Sequence, residues 1–432
     1  LATSMTDVDY ARAGDPWVSF AVQQLREGTR ERARQAYDGA FKRFADTSHS
    51  KKLHEEMRKS YVGLGECNPI DLTVATKIKS QRAFSAGISV YGWHPQTFLL
   101  PADYEQFMRT YKARPRARWI VKQPDQNRGE GVSMLQSLDQ LKPGAGGPAP
   151  AVVVQQYVSR PMLVEGFKFH YRYYAMLANP PGAPSRKGLG LWAFPLAPVR
   201  FSTAPFVADA ADGGGWQEQK NAHVTNSDAN KNEVTDYCTS SPWRHRTLTS
   251  ALEYAASAEP HKAALLRPRA VYADSLRVLS RSFGKAARMW EAELPTLPEG
   301  VGELRRAPEA EFCHAIYGVD MMLDDAGSVW LIEIQIKPQM DCSCPQDERV
   351  KDAMLVAAMR HDLHGLGDEA ERAAWHSTRP QVEDVAEVAA LAEAEVREWS
   401  SGEPEMLRLP LLQWDEDERL DTSRRFTHTY TY

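Results

Sequence analysis

At 432 residues, with 43% hydrophobic and 25% charged side chains, the chain is long enough for two or three domains with their own cores. Its net charge of −5 excludes bulk-charge attraction to nucleic acid or to an anionic membrane and leaves only local basic patches. No apolar run reaches the length of a membrane span, and Cys67, Cys238, Cys313, Cys342 and Cys344 are scattered and odd in number, which suits a reducing cytoplasm, with Cys342-Ser-Cys344 read as free thiols over a weak metal hint.

The chain opens on Leu1, with Met5 the first methionine, which reads as a fragment or a processed form; nothing at its start resembles a signal peptide. Residues 17–60 carry apolar side chains at helical spacing among charges, so a helical region is predicted there, and a domain joint near residue 90. Gln96 to Met108 reads as a short strand and then a helix starting at Ala102 or Asp103. Arg109, Lys112, Arg114, Arg116, Arg118 and Lys122 follow without an intervening acid, as either a solvated face or a patch for an acidic partner. Trp119 to Lys122 is a buried strand, Asp125 to Val132 a glycine loop, 142–150 a linker and 151–158 another strand.

Phe167 to Leu177 alternates strongly and predicts a strand with Lys168, His170 and Arg172 on one face. Strand character returns over 191–199. Helices are predicted within 246–292, over 351–363 with Gly365 just past the end, and over 381–399. The stretch from Gly402 reads as an arm or a disordered tail.

Tyr317 to Pro338, YGVDMMLDDAGSVWLIEIQIKP, organises the rest. It predicts a hairpin closed by an Asp-Ala-Gly turn, with Asp324 and Asp325 facing solvent. Asp320 and Glu333 interrupt its apolar strands. A carboxylate there is costly to bury unless it is paired or metal-bound. With Gln335 two residues beyond Glu333, they form an oxygen-rich set suited to Mg²⁺. Lys122 and Arg128 beside Gly129-Glu130-Gly131 supply cations and backbone N–H groups for phosphate, although no P-loop is present. Arg200 and the His223-Val224-Thr225-Asn226 segment add another cation and polar groups.

WIVKQPDQNRGEGV, VVVQQYVSRPMLVEGFKFHYRYYAML, VRFSTAPF, HVTNSDANK and GVDMML…VWLIEIQIKP, in this order, resemble the tubulin–tyrosine ligase and ligase-like family over roughly residues 65–365. QTFLLPADYEQF is similar to that family's preceding segment. The resemblance implies an α+β, ATP-grasp fold in which two lobes clamp ATP with Mg²⁺. The corresponding domains are 1–90, an N-terminal helical region and small domain; 91–165, the central lobe; 166–368, the catalytic lobe; and 369–432, a helix and tail. It implies that Lys122, Arg128 and Gly129 meet phosphate, and that Gln155, Gln156, Tyr157 and Val158 form the adenine hinge. Lys168, His170, Thr225 and Asn226 would contact nucleotide. Arg172 would act on the transferring phosphate, and Arg200 on the carboxylate of the incoming amino acid. Asp320, Glu333 and Gln335 would hold the metal.

The implied reaction joins an amino acid (glutamate, glycine or tyrosine) to a protein carboxylate through an acyl phosphate. The implied partners are the acidic tails of tubulin or microtubules and a free amino acid, with no nucleic acid and no membrane, in the cytoplasm, on the cytoskeleton or in a cilium or flagellum. The chain departs from the family pattern at His170, where the family has Asp, at Gln335, where it has Asn, at Gln156, where a basic residue is common, and at Ser227, where it has Tyr. Two other readings remain open: a catalytically weak family member serving as a tubulin-binding scaffold, and a ligase of small molecules.

Overall fold

The structure is a computed structural model. It describes residues 93–123, 131–141, 151–178, 190–208, 220–226, 247–293, 314–336, 338–342, 344–365 and 407–409, together with Gln35, Gly39 and Lys42 as single helical positions. The rest of the predicted N-terminal helical region, the joint near residue 90, most of the glycine loop, the 142–150 linker and the helix over 381–399 lie outside the described residues.

Two antiparallel sheets carry the architecture. The smaller has the order β1-β4-β2-β3, from β1 (Thr97–Leu100), β2 (Trp119–Lys122), β3 (Val132–Met134) and β4 (Val152–Gln156). Helix α1 (Tyr104–Ala113) packs on it. Phe107, fully buried, meets Phe98 and Trp119 edge-on, with ring centroids 5.5 and 5.3 Å apart. Asp103 begins this helix, but its carboxylate turns back to accept the Leu99 N–H at 2.9 Å.

The larger sheet runs β10-β9-β6-β7-β11, with β5 and β8 also paired to β6. Its members are β5 (Leu163–Val164), β6 (Phe167–Ala178), β7 (Gly190–Ala193), β8 (Val199–Phe201), β9 (His314–Leu323), β10 (Val329–Ile336) and β11 (Leu407–Leu409). The strong alternation of β6 decides its two faces. After the short α2 (Lys220–His223) come α3 (Leu248–Ala258) and α4 (Pro268–Glu293), which share a core with Phe169, Tyr171, Tyr173, Ala175 and Leu177 of β6. Lys168, His170, Arg172 and Tyr174 alternate with these and therefore lie on the opposite face, all buried. Helix α5 (Pro345–Gly365) meets the sheet where His361 stacks edge-on against Trp192, centroids 4.3 Å apart.

Several local expectations are corrected. Gly365 is the last residue of α5 and not beyond it. Part of the predicted tail, Leu407–Leu409, is an edge strand on β7. Asp324 does not face solvent. It is buried because its carboxylate accepts the N–H groups of Ala326 and Ser328 and the Trp330 indole N–H, which closes the hairpin turn, with Gly327 at φ +81°. The Cys342 thiol donates to the Met340 carbonyl at 3.4 Å, but Cys344 is disulfide-bonded, against the reading of free thiols at Cys342 and Cys344.

Candidate active site

The hairpin β9–β10 positions the acidic side of the site. Regular antiparallel pairing from Leu331↔Met321 would place Ile332 opposite Asp320 and turn Glu333 toward the core. The register instead shifts between Leu331 and Glu333, so Glu333 stands directly opposite Asp320 and Gln335 opposite Gly318. Leu331 remains in the core, and Ile334 still packs against it. The extra residue thus gives Asp320 and Glu333 one common face.

The two carboxylates have different environments. Asp320 is buried and takes a bidentate pair from Arg172, directly opposite on β6: Nε to Oδ1 at 2.6 Å and Nη2 to Oδ2 at 2.7 Å. Burial alone would raise its pKa, but the Arg172 charge and hydrogen bonds hold the carboxyl well below the usual range. Glu333 is exposed. The argument that buried, unpaired carboxylates call for a metal is therefore overturned at both positions: one is paired and the other solvated. Among the described residues no three His, Cys, Asp or Glu side chains converge to hold a metal by themselves. Two carboxylates and an amide oxygen fit Mg²⁺ only where phosphate oxygens and water complete its shell.

Gly318 allows the Arg172 geometry. A Cβ there would lie 3.3 Å from Arg172 Cδ and 3.0 Å from Pro338 Cβ, so the guanidinium stem passes over a bare backbone.

The cationic side draws on both sheets. Lys122 ends β2 and donates to Gln155 Oε1 at 2.8 Å; Gln155 Nε2 donates in turn to Thr97 Oγ1 at 3.0 Å. Burial lowers the Lys122 pKa against the opposing charges of Glu333 and Asp320, which places the hairpin acids within electrostatic reach of the smaller sheet. Lys168 is 4% exposed and donates to the His223 carbonyl at 2.9 Å and the Tyr157 hydroxyl at 3.0 Å. Burial, and then the Lys122 charge, bring its pKa down to about 7. The Tyr157 hydroxyl meets His223 Nδ1 at 2.9 Å. Since that hydroxyl accepts from Lys168, it is assigned as the donor to Nδ1, which accepts. His170 meets Thr225 Oγ1 at 2.5 Å, and burial with the charges of Arg200, Arg172 and Lys168 outweighs Asp320 and lowers its pKa to about 3. It is a neutral imidazole where the family pattern has a carboxylate.

Arg200, opposite His170 on β8, lies 3.9 Å from Asp347 at the start of α5. Asp347 also pairs with Lys351 at 2.7 Å, and Lys351 donates to the Asp341 carbonyl at 2.5 Å. Lys351 is 1% exposed. Sequence reasoning missed this pair, although Asp and Lys at i,i+4 in a helix are a readable signal. Nor does any local signal mark His94, which is buried where the chain crosses between the two sheets.

Of the predicted residues, the structure gathers Lys122, Gln155, Tyr157, Lys168, His170, Thr225, Arg172, Asp320, Arg200 and Glu333 into one connected region. Val158 and Asn226 continue the same segments and are half-buried, as is Gln335. The side chain of Gln156 is turned elsewhere, accepting from Arg114 Nη1 at 3.4 Å. Arg128 and Gly129 lie outside the described residues. In the basic stretch, Arg114 also bonds Gln96 at 3.2 Å and Arg118 donates to the Ala208 carbonyl, whereas Arg109, Lys112 and Arg116 are exposed.

A sequence model of the tubulin-tyrosine ligase family matches residues 48–371. Among similar curated proteins is a tubulin polyglutamylase TTLL5 of Homo sapiens, 26% identical over 304 residues, covering 68% of this chain and 21% of the relative. Another is a tubulin monoglutamylase TTLL4 of Homo sapiens, 26% identical over 285 residues, covering 62% of this chain and 20% of the relative. A third is a probable alpha-tubulin polyglutamylase Ttll1 of Tetrahymena thermophila, 24% identical over 272 residues, covering 60% of this chain and 58% of the relative. The matched region is thus about a fifth of the length of the TTLL5 and TTLL4 relatives.

Proposed function

The chain belongs to the tubulin-tyrosine ligase family, whose fold is ATP-grasp-like, and from that membership we propose that it is an ATP-dependent ligase joining an amino acid to a carboxylate of tubulin's acidic tails. Glutamate is the first candidate, because the similar proteins are described as tubulin polyglutamylases and monoglutamylases; glycine and tyrosine are the others. The observation that carries this reading is the bond of Lys168, on the larger sheet, to Tyr157 just past β4 of the smaller, with Lys122 of the smaller sheet within electrostatic reach of Lys168, Asp320 and Glu333. Two cations from separate lobes facing two carboxylates suit a phosphate chain with a divalent ion.

In this reading the γ-phosphoryl group moves to an acceptor carboxylate oxygen and ADP leaves. The amine of the amino acid then attacks the acyl carbon, the carbon–oxygen bond to phosphate breaks, and the amine gives up a proton. Lys122 and Lys168 hold phosphate oxygens, with Arg128 and Gly129 contributing from their loop. Gln155 to Val158 seat the adenine, assisted by His170, Thr225 and Asn226. Asp320, Glu333 and Gln335 would hold Mg²⁺, which would supply positive charge beside the transferred group. Arg172 is the cation nearest that metal set, through its pair with Asp320. Arg200 receives the carboxylate of the amino acid, with Lys351 beside it. No protein nucleophile is required. We take 91–165 and 166–368 as the two lobes of the clamp. Tubulin as substrate places the protein on the cytoskeleton, and among the described residues no helix is long and apolar enough to cross a membrane.

One observation favours a second reading, a tubulin-binding scaffold of weak activity. Both Asp320 oxygens are taken by Arg172, and His170 supplies no negative charge. A single experiment separates the two: incubation of the full chain with Mg²⁺, ATP, brain tubulin and each radiolabelled amino acid in turn. Incorporation of one label supports the ligase and identifies the donor. Tubulin binding with no label incorporated leaves the scaffold.

A further inference from the structure

Helix α5 begins beside β8. Its first turn brings Asp347 to Arg200, with Lys351 one turn further on. Lys351 occupies one oxygen of Asp347, donating to Oδ2 at 2.7 Å, and also donates to the Asp341 carbonyl. The other oxygen, Oδ1, is 3.9 Å from Arg200 Nη2, too far for a hydrogen bond. Neither Oδ1 nor the Arg200 guanidinium makes a hydrogen bond among the described residues, although the Arg200 and Asp347 side chains are only 11% and 16% exposed.

Charged groups this withdrawn from water ordinarily have hydrogen-bonded partners. Here an acceptor and a fork of donors stand side by side, unused. Burial alone would raise the Asp347 pKa, but the charges of Lys351 and Arg200 and the Lys351 hydrogen bond lower it, so Oδ1 belongs to an ionised carboxylate. The Tyr174 hydroxyl is fully buried without a partner, and after burial itself the charges of Lys351, Asp347 and Arg200 act on it most. It is a further polar group that the protein leaves unsatisfied within electrostatic reach of this cluster.

A lone carboxylate reaching Arg200 would meet the negative Oδ1 next to it. A metal ion at Oδ1 would meet two cations, Arg200 and Lys351. A ligand whose anion and cation hang from one carbon would meet an opposite charge at each group. That is the zwitterionic end of an α-amino acid. The Arg172 charge also acts on Asp347, so a nitrogen held at Oδ1 stays within electrostatic reach of the Arg172–Asp320 pair.

We infer that Asp347 determines specificity for the incoming amino acid, its Oδ1 accepting from the ammonium group while Arg200 takes the carboxylate on the same carbon. The inference rests on the reading of Arg200 proposed above. It makes the site selective for α-amino acids over acids that lack the amine.

The test measures binding to the full chain by calorimetry for three matched pairs: glutamate and glutarate, glycine and acetate, tyrosine and hydroxyphenylpropionate. In each pair the second compound has hydrogen in place of the ammonium group. The wild-type chain should bind one of the amino acids at least about tenfold more tightly than its deaminated partner, the worth of one charge-assisted hydrogen bond. Asp347→Asn should bring the two affinities within about twofold of each other, by weakening the amino acid and sparing the acid, which no longer meets a negative neighbour. Asp347→Glu, which keeps the charge, should keep the preference. A role confined to holding Lys351 and Arg200 in place would weaken both members of the pair alike. The inference is overturned if the wild-type chain binds both members equally, a comparison that needs no variant to fold, or if a folded Asp347→Asn retains the wild-type ratio. Failure of the wild-type chain to bind any of the three amino acids would instead overturn the reading of Arg200.

Discussion

Removing the negative partner of Arg172 should destabilise the protein more than any change at an exposed charge. The Arg172 side chain is 3% exposed and that of Asp320 is 11% exposed, so neither charge can turn to water without disrupting the sheet face. Asp320→Asn keeps the shape but leaves a guanidinium buried against a neutral amide, whose NH₂ faces a donor. Loss of one partner of a buried pair costs about 3–5 kcal/mol. Replacing both, as Arg172→Met with Asp320→Leu, should lie closer to wild type than either single change, because no charge is then stranded. The pH dependence has a definite sign. The carboxyl of Asp320 is held below its unfolded value, so its contribution is complete above about pH 4 and is lost as pH falls toward the depressed folded pKa. The gap between wild type and Asp320→Asn should therefore narrow in acid. Urea unfolding followed by tryptophan fluorescence at pH 7 and at lower pH reads both effects, provided the denaturant slope is unchanged. A loss under about 1 kcal/mol at pH 7, or a gap that persists undiminished in acid, would refute the assignment of Arg172 to Asp320.

Other consequences follow from the same geometry. Lys168, brought down to about 7 by burial and by Lys122, sheds its proton in the folded state while an unfolded lysine keeps it to about pH 10. Stability should rise with pH across that window, whereas ATP affinity, which needs the ammonium, should fall roughly tenfold or more from pH 6 to 8.5. Lys168→Met should bind weakly at both pH values; a wild-type titration with no slope would count against Lys168 as a phosphate ligand. Gly318→Ala places a methyl 3.3 Å from Arg172 Cδ, and Arg172 cannot yield while its head is doubly bonded. It should lower stability by about 1–3 kcal/mol, and an unchanged melting temperature would show that the contact relaxes freely. Glu333→Gln should fold normally, since Glu333 is exposed, but should need more Mg²⁺ to reach the same ATP affinity. Gln335→Asn should cost less, and a magnesium titration of Glu333→Gln that matches wild type would remove Glu333 from the metal set.

What the sequence determined by itself was local. The period-two alternation from Phe167 onward fixed which face of β6 carries Lys168, His170 and Arg172, because successive side chains of a strand must oppose each other. The apolar run ending at Lys122 fixed β2 to the residue, and the Asp-Ala-Gly turn fixed the hairpin. Pairing between distant strands lay beyond any local pattern. Only the β6–β9 register put Arg172 opposite Asp320 and satisfied a carboxylate whose burial had pointed to a metal. Alternation along β10 put Leu331, Glu333 and Gln335 on one face, but a one-residue slip exchanges faces, and the irregularity at Ile332 sent Leu331 to the core and Glu333 to the solvated site. Asp324 is buried because three donors happen to surround it, and His94 because the chain crosses between two sheets at that point. Burial and pairing are properties of the assembled neighbours, which a residue's own sequence context does not contain.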